Sequence, residues 1–160
     1  MATVFYLSLG SNVGDREKSL REAISRVGAL GRVTSVSSFY ETEPVEVTDQ
    51  AWFLNCAVAL ESNETPGKLM TQILSIEKAL GRERLQKKGP RTIDVDILLA
   101  GDEIIDESGL TIPHPAMAQR RFVLEPLAEI APEARHPVLR KTIRELLAEL
   151  PPGQTVRKLR

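Results

Sequence analysis

Cysteine is nearly absent: Cys56 is the one thiol in 160 residues. A single thiol excludes an internal disulfide and an all-cysteine zinc site, and suits a reducing compartment. An excess of charge is missing too. Lysine plus arginine number 21 against 22 aspartate plus glutamate, for a formal charge of −1. General nucleic-acid binding needs a clustered basic surface, so it is not expected. No apolar run approaches the roughly 20 residues of a membrane span, so no membrane association is expected. The first ten residues, MATVFYLSLG, lack the basic start and cleavage site of a signal peptide, and a cytoplasmic location is expected. Neither G-x-G-x-x-G nor G-x-x-x-x-G-K-[ST] occurs, which disfavours a Rossmann dinucleotide fold and a P-loop NTPase. There is no repeat, low-complexity tract or linker, and the length fits one domain over residues 1–160.

The order of elements can be read from periodicity. Residues 4–9 mix β-branched, aromatic and aliphatic side chains and run into Gly10-Ser11-Asn12, a strand ending in a turn. Asp15 is the expected cap of a helix carrying Leu20, Ile24, Val27 and Leu30, with Gly31 as its stop. Residues 33–40 read as one strand. From Trp52 to Glu61 the pattern alternates: Trp52, Leu54, Cys56, Val58 and Leu60 are the expected core face. Phe53, Asn55, Ala57, Ala59 and Glu61 face the other way. Thr65-Pro66 opens a second helix whose buried stripe is Leu69, Ile73, Ile76 and Leu80. A strand over 92–99 then places Ile93, Val95 and Ile97 on one side and Asp94, Asp96 and Leu98 on the other. Strand, helix, strand, strand, helix, strand is the split β-α-β unit repeated. The expectation is an α+β, ferredoxin-like antiparallel sheet (βαββαβ core) with helices on both faces. The segments around 122–130 and 143–150 supply the second helical layer, and the tail over 151–160 frays or adds an edge strand.

Two loops of about ten residues interrupt this economy, and long loops are often functional. The first carries Glu41, Glu43, Glu46 and Asp49; the second carries Arg82, Arg84, Lys87, Lys88 and Arg91 against Glu83. That separation points to a polyanionic ligand near the second loop. Asp94 and Asp96 follow it. At i and i+2 in a strand they share a face roughly 6.5–7 Å apart along the backbone, where carboxylates can converge on one divalent ion or bridge two. Such a site, completed by phosphate oxygens, suits magnesium. D-x-D on a solvated strand is a common accident, but this pair is flanked by apolar Ile93, Val95, Ile97 and Leu99. Arginines beside it would supply the charge neutralisation that phosphoryl transfer needs, although a solvated basic loop explains Arg84 equally well. His114 in Pro113-His114-Pro115 precedes Arg120-Arg121-Phe122; alone it would be a surface turn. Glu77 is expected to be half buried, facing Arg82 in a salt bridge.

Several segments match one family in order. The run Gly89-Pro90-Arg91-Thr92-Ile93-Asp94-Val95-Asp96-Ile97-Leu98 resembles the signature of 6-hydroxymethyl-7,8-dihydropterin pyrophosphokinases. So do Leu9-Gly10-Ser11-Asn12, Ser37-Ser38-Phe39-Tyr40-Glu41-Thr42-Glu43-Pro44, Phe53-Leu54-Asn55, Pro113-His114-Pro115 and Arg120-Arg121-Phe122-Val123-Leu124. Pro126-Leu127-Ala128-Glu129-Ile130-Ala131-Pro132 continues the match, which extends to about residue 137. The resemblance implies ATP-dependent transfer of pyrophosphate to the hydroxymethyl group of the pterin, releasing AMP, in folate biosynthesis. It implies that Asp94 and Asp96 hold two magnesium ions and that Arg82 and Arg91 neutralise the migrating group. Arg84, His114 and Arg120 would assist ATP binding, and Glu77, Ile97 and Thr111 would touch the adenosine. Phe53 and Phe122 would sandwich the pterin ring, whose amide edge would bond Thr42, Asn55 and the backbone near Val45. A flat heterocycle needs stacking and a donor–acceptor match, which Phe53 and Asn55 can offer.

The sequence departs from the family pattern at Glu46 (for glycine), Ala51-Trp52 (for proline and an acid) and Lys88 (for an aromatic). Residues 82–88 are expected to form a lid over bound nucleotide. The rival readings are a metal-dependent phosphohydrolase or nuclease built on Asp94 and Asp96, and a ferredoxin-like module that binds a small ligand. With no surplus apolar stripe, the chain is expected to be a monomer.

Overall fold

A computed structural model of the chain describes residues 2–43, 51–81 and 92–159. Strand β1 (Thr3–Ser11) is followed by helix α1 (Arg16–Val27), the short strands β2 (Arg32–Val36) and β3 (Tyr40–Thr42), and the long strand β4 (Phe53–Ser62). Helix α2 (Pro66–Ala79) and strand β5 (Asp94–Ala100) complete the expected βαββαβ core. A hairpin of β6 (Ile105–Glu107) and β7 (Leu110–Ile112) comes next. It leads through a 3-10 turn at Met117–Gln119 to α3 (Arg121–Ile130). The small pair β8 (Arg135–His136) and β9 (Lys141–Thr142), α4 (Ile143–Glu149) and β10 (Val156–Lys158) close the order.

The main sheet runs β10-β3-β4-β1-β5, with β2 also on β4, and every pairing is antiparallel. Without β10 this is the ferredoxin-like order, so the expected fold class stands. Local signals explain the helix ends. The Asp15 carboxylate accepts from Lys18 N–H at 3.1 Å, and Thr65 Oγ1 accepts from Lys68 N–H at 3.3 Å with Pro66 just inside. Thr142 and Glu145 form a reciprocal capping box on α4.

Both faces of the sheet carry a core. On one, Phe5, Leu7, Leu9, Leu54, Cys56, Val58, Leu60, Val95 and Ile97 pack under Leu20 and Val27 of α1 and Leu69 and Ile73 of α2. On the other, Ala57, Leu98 and Leu99 meet Met117, Val123, Leu124, Leu127, Ile143 and Leu146. That second cluster covers part of its face, and the uncovered part holds the polar residues described below.

Four local expectations need correction. Helix α1 is capped by Gly28 rather than Gly31. Gly31 instead passes so close to β4 that a Cβ there would lie 2.2 Å from the Glu61 carbonyl oxygen. The strand over 33–40 is two strands, because Ser37 takes over a ladder position with its side chain: its Oγ accepts from Ala57 N–H at 2.8 Å and donates to Ser38 O. Trp52 is 37% exposed, since β4 begins at Phe53 and the alternation does not reach back to it. Glu77 is buried rather than half buried, and its Oε2 accepts from Val95 N–H at 2.8 Å.

Candidate active site

The antiparallel register assembles one row of residues across four strands. Tyr40 of β3 pairs with Asn55 of β4, Asn55 with Gly10 of β1, and Gly10 with Asp94 of β5. Directly paired residues share a face, and so do residues two positions along a strand. Thr42 and Phe53 therefore flank the row on one side, and Ala57, Ser8 and Asp96 on the other. Adjacent strands lie about 4.8 Å apart, so Asn55 and Asp94 are separated by about 10 Å with β1 between them.

Gly10 keeps this surface open. A Cβ there would fall 2.4 Å from Asn55 Oδ1 and 3.6 Å from the Phe53 ring. At the Asn55 end, the amide donates from Nδ2 to Thr42 Oγ1 at 2.6 Å, and both side chains are buried. The pair fixes how the amide presents itself beside the half-buried Phe53 ring. A recess with an aromatic wall and an oriented amide suits a flat, hydrogen-bonding heterocycle.

At the Asp94 end, both aspartates are half buried between buried neighbours. A bulge in β5 follows them: Tyr6 pairs with Leu99 and Leu7 with Ile97, so the ladder skips Leu98. Leu98 and Leu99 thereby both enter the second core, which strict alternation would not allow. His114 is tied to this strand by its own N–H, which donates to Leu98 O at 3.0 Å. Its Nδ1 accepts from Ala116 N–H at 3.2 Å, which leaves Nε2 to carry the proton of the neutral ring. Burial and the Arg120 cation hold the His114 pKa below its ordinary value, and the Asp94 carboxylate opposes them. Arg120 sits 5.5 Å over the Phe122 ring, at the start of α3.

The structure thus brings Thr42, Phe53 and Asn55 together, and sets Asp94, Asp96, His114, Arg120 and Phe122 along the same face. Glu77, Ile97 and Thr111 are placed differently. The Ile97 side chain lies in the opposite core, packed with Leu7. Its main chain lies two residues from the Val95 N–H that Glu77 binds, on β5, an outer strand of the main sheet among the described residues. Thr111 is exposed on β7. Arg82, Arg84, Lys88 and Arg91, the lid expected over 82–88, and Val45 and Glu46 lie outside the described residues.

Two features escaped the sequence reading. Gly10 is not part of the expected turn: it lies inside β1 as the clearance beneath the site. Glu129 of α3 accepts from Tyr40 Oη at 2.5 Å and from Ser38 N–H at 2.8 Å, anchoring the helix that carries Phe122 to the β3 edge. Those bonds hold the Glu129 carboxyl below its ordinary pKa despite burial, which opposes them. Only the close spacing of Ser37-Ser38 and Tyr40 in a segment of strand character hinted at a polar anchor there.

A family model described as 7,8-dihydro-6-hydroxymethylpterin-pyrophosphokinase (HPPK) matches residues 6–132. The 2-amino-4-hydroxy-6-hydroxymethyldihydropteridine pyrophosphokinase of Bacillus subtilis (strain 168) is 49% identical over 132 residues, covering 81% of this chain and 79% of the relative. The protein of the same name from Methylorubrum extorquens is 45% identical over 150 residues, covering 92% and 94%. Among solved structures, Plasmodium falciparum HPPK-DHPS wild type aligns with a TM-score of 0.73 at 17% identity, over 93% of this chain and 45% of that one. The chain spans less than half of that longer protein, and at this identity the likeness speaks for the fold alone.

Proposed function

This chain belongs to the 7,8-dihydro-6-hydroxymethylpterin-pyrophosphokinase family, and from that premise we infer that it transfers pyrophosphate from ATP to the hydroxymethyl group of 6-hydroxymethyl-7,8-dihydropterin, releasing AMP, in folate biosynthesis. The observation that carries the reading is the single row across the sheet. A recess for a flat ring and a carboxylate pair share one face, about 10 Å apart, with Gly10 between them.

Moving the β and γ phosphates as a unit requires the hydroxymethyl oxygen to attack the β-phosphorus. The bond from that phosphorus to the oxygen of the α-phosphate breaks, AMP leaves with that oxygen, and the hydroxyl proton is lost. The protein's part is to align the two substrates and balance charge. Phe53 and Phe122 would stack on the pterin ring, and Thr42, Asn55 and the backbone near Val45 would bond its amide edge. His114, donating from Nε2, and Arg120 would hold the nucleotide phosphates, with Arg84 beside them. Arg82 and Arg91 would neutralise the migrating group. Adenosine would lie beside β5, where Ile97 would offer its main chain, with Glu77 and Thr111 near.

Asp94 and Asp96 fit magnesium. They are hard oxygen donors on one strand face, and a two-carboxylate set leaves positions for water and phosphate, which is how that ion prefers to bind. Two ions held there would offset phosphate charge and orient the leaving oxygen. We place the enzyme in the cytoplasm as a monomeric single domain over 1–160 that engages neither nucleic acid nor membrane. Among the described residues no helix is long and apolar enough to cross a membrane. The test is incubation with ATP, magnesium and the hydroxymethyl dihydropterin. AMP formed only when the pterin is present is the expected result, abolished by a chelator. Phosphate released without pterin would favour a hydrolase, and no turnover would sink the reading.

A further inference from the structure

We propose that the C-terminal segment 154–159, centred on β10, is a positioning element of the pterin recess, holding Thr42 and Glu43 in register so that Thr42 can orient Asn55. The proposal rests on the pterin assignment made above, and it concerns a part of the chain beyond residue 132, where the family match ends.

Strand β3 is three residues long and carries Thr42 at its end. On one side it pairs with β4; on the other, Val156, Arg157 and Lys158 pair with Thr42, Glu41 and Tyr40. The segment grips more than the strand. Leu159 N–H donates to Phe39 O at 2.8 Å, and Glu43 N–H donates to Thr155 O at 3.2 Å. Thr155 N–H donates to Glu43 Oε1 and Gln154 Nε2 donates to Glu43 O, each at 2.6 Å. Residues 39–43 are thus bound along their whole length. Without β10, Thr42 would sit on an outermost strand of three residues, with one paired neighbour and free to shift.

Side chains extend the grip towards Phe53. Arg157 bonds the Glu41 carboxylate, whose other oxygen takes Arg16 at 2.9 Å. Arg16 also donates to the carbonyl oxygen of Trp52 at 2.9 Å, next to Phe53. Arg157 and Arg16 together hold the Glu41 carboxyl below its ordinary pKa. Arg157, Glu41 and Arg16 therefore connect the C-terminal segment to both strands that carry the recess. The aspartate pair lies on β5, two strands from β4 with β1 between them. A purely structural tail would affect both substrates alike; this placement affects one.

The test compares the full chain with a version ending at Leu150, and with the point variants Gln154→Ala, Arg157→Ala and Arg157→Lys. Pterin affinity is measured with a non-hydrolysable ATP analogue and magnesium present, and analogue affinity is measured separately. Truncation should weaken pterin binding roughly tenfold and change analogue binding by less than about twofold. Arg157→Ala should show a smaller loss that Arg157→Lys partly restores. Amide exchange should quicken at Glu41, Thr42 and Glu43 while β1 and β5 keep their protection. If the truncated chain does not fold, the Gln154→Ala/Arg157→Ala double variant is judged by the same criteria. Unchanged pterin affinity, or equal weakening of both ligands, overturns the proposal. Full-length protein that binds no pterin would instead overturn the functional reading, and the exchange measurement would still judge the hold on β3.

Discussion

The two faces of the sheet are built from the same strands and do opposite work. Under α1 and α2, Leu7, Leu9, Cys56, Val58 and Leu60 are almost fully buried and the face is mainly apolar, with Ser11 and Ser62 buried at the strand ends. Under α3 and α4, the cover stops at Ala57 and Leu98, and the rest of the face includes Thr42, Phe53, Asn55, Ser8, Gly10, Asp94 and Asp96. A filled face stabilises the fold by removing apolar area from water. A half-filled one leaves polar groups on rigid strands with open space above them, which is what substrate alignment requires. Damage to the first should appear as lost stability, and damage to the second as lost function.

The largest expected effect is on the open face. Asp94→Ala and Asp96→Ala should each lower turnover by about three orders of magnitude or more while thermal unfolding stays within a few degrees of the parent. A loss below about tenfold in both would remove the pair from the metal site. On the closed face, Leu60→Ala should cost roughly 2–5 kcal/mol in denaturant titration and leave activity per folded molecule unchanged. Gly10→Ala tests the boundary, since its methyl group collides with the Asn55 amide. It should cost roughly 1–3 kcal/mol and weaken pterin binding, with ATP binding spared.

Smaller effects separate two adjacent aromatics. Phe53→Ala should weaken pterin binding roughly tenfold in calorimetric titration, whereas Trp52→Ala, at an exposed position, should move stability by no more than about 0.5 kcal/mol. Equal damage to ATP and pterin binding by Phe53→Ala would count against the recess. The shallowest effect is on pH. His114 and His136 both have pKa values lowered, chiefly by burial, and each Nδ1 accepts backbone N–H bonds. As pH falls, the unfolded chain binds these protons first. The contribution is whole above the unfolded pKa of about 6.5 and declines as pH drops through that value towards the folded ones. Melting temperatures compared at about pH 7.5 and about pH 5.5 should show the loss, and a His136→Asn variant should show less of it.

Much of this was legible one residue at a time. The βαββαβ order, the Asp15 and Thr65 caps and the Leu54–Cys56–Val58–Leu60 stripe follow from local periodicity and capping chemistry, which act over a few residues and leave a direct trace. The carboxylate pair was legible because strand alternation alone puts Asp94 and Asp96 on one face. Trp52 continues the alternating pattern but lies outside the strand, which begins at Phe53. Leu99 breaks the alternation because a bulge intervenes, and residues 33–40 divide because Ser37 bonds across to Ala57. In the last two, a neighbouring strand overruled a local preference.

The sequence by itself determined which elements form, which stripes are apolar and which acidic and aromatic residues are candidates for chemistry. Those properties depend on side-chain type and on periods of 2 and 3.6 residues. Only the tertiary structure decided that Tyr40, Asn55, Gly10 and Asp94 stand in one row, and that Gly10 must lack a side chain. It also decided that Glu77 serves a backbone amide and that residues 154–159 hold the strand bearing Thr42. Register and strand order are set by packing between segments tens of residues apart, and a distance across strands has no counterpart in spacing along the chain.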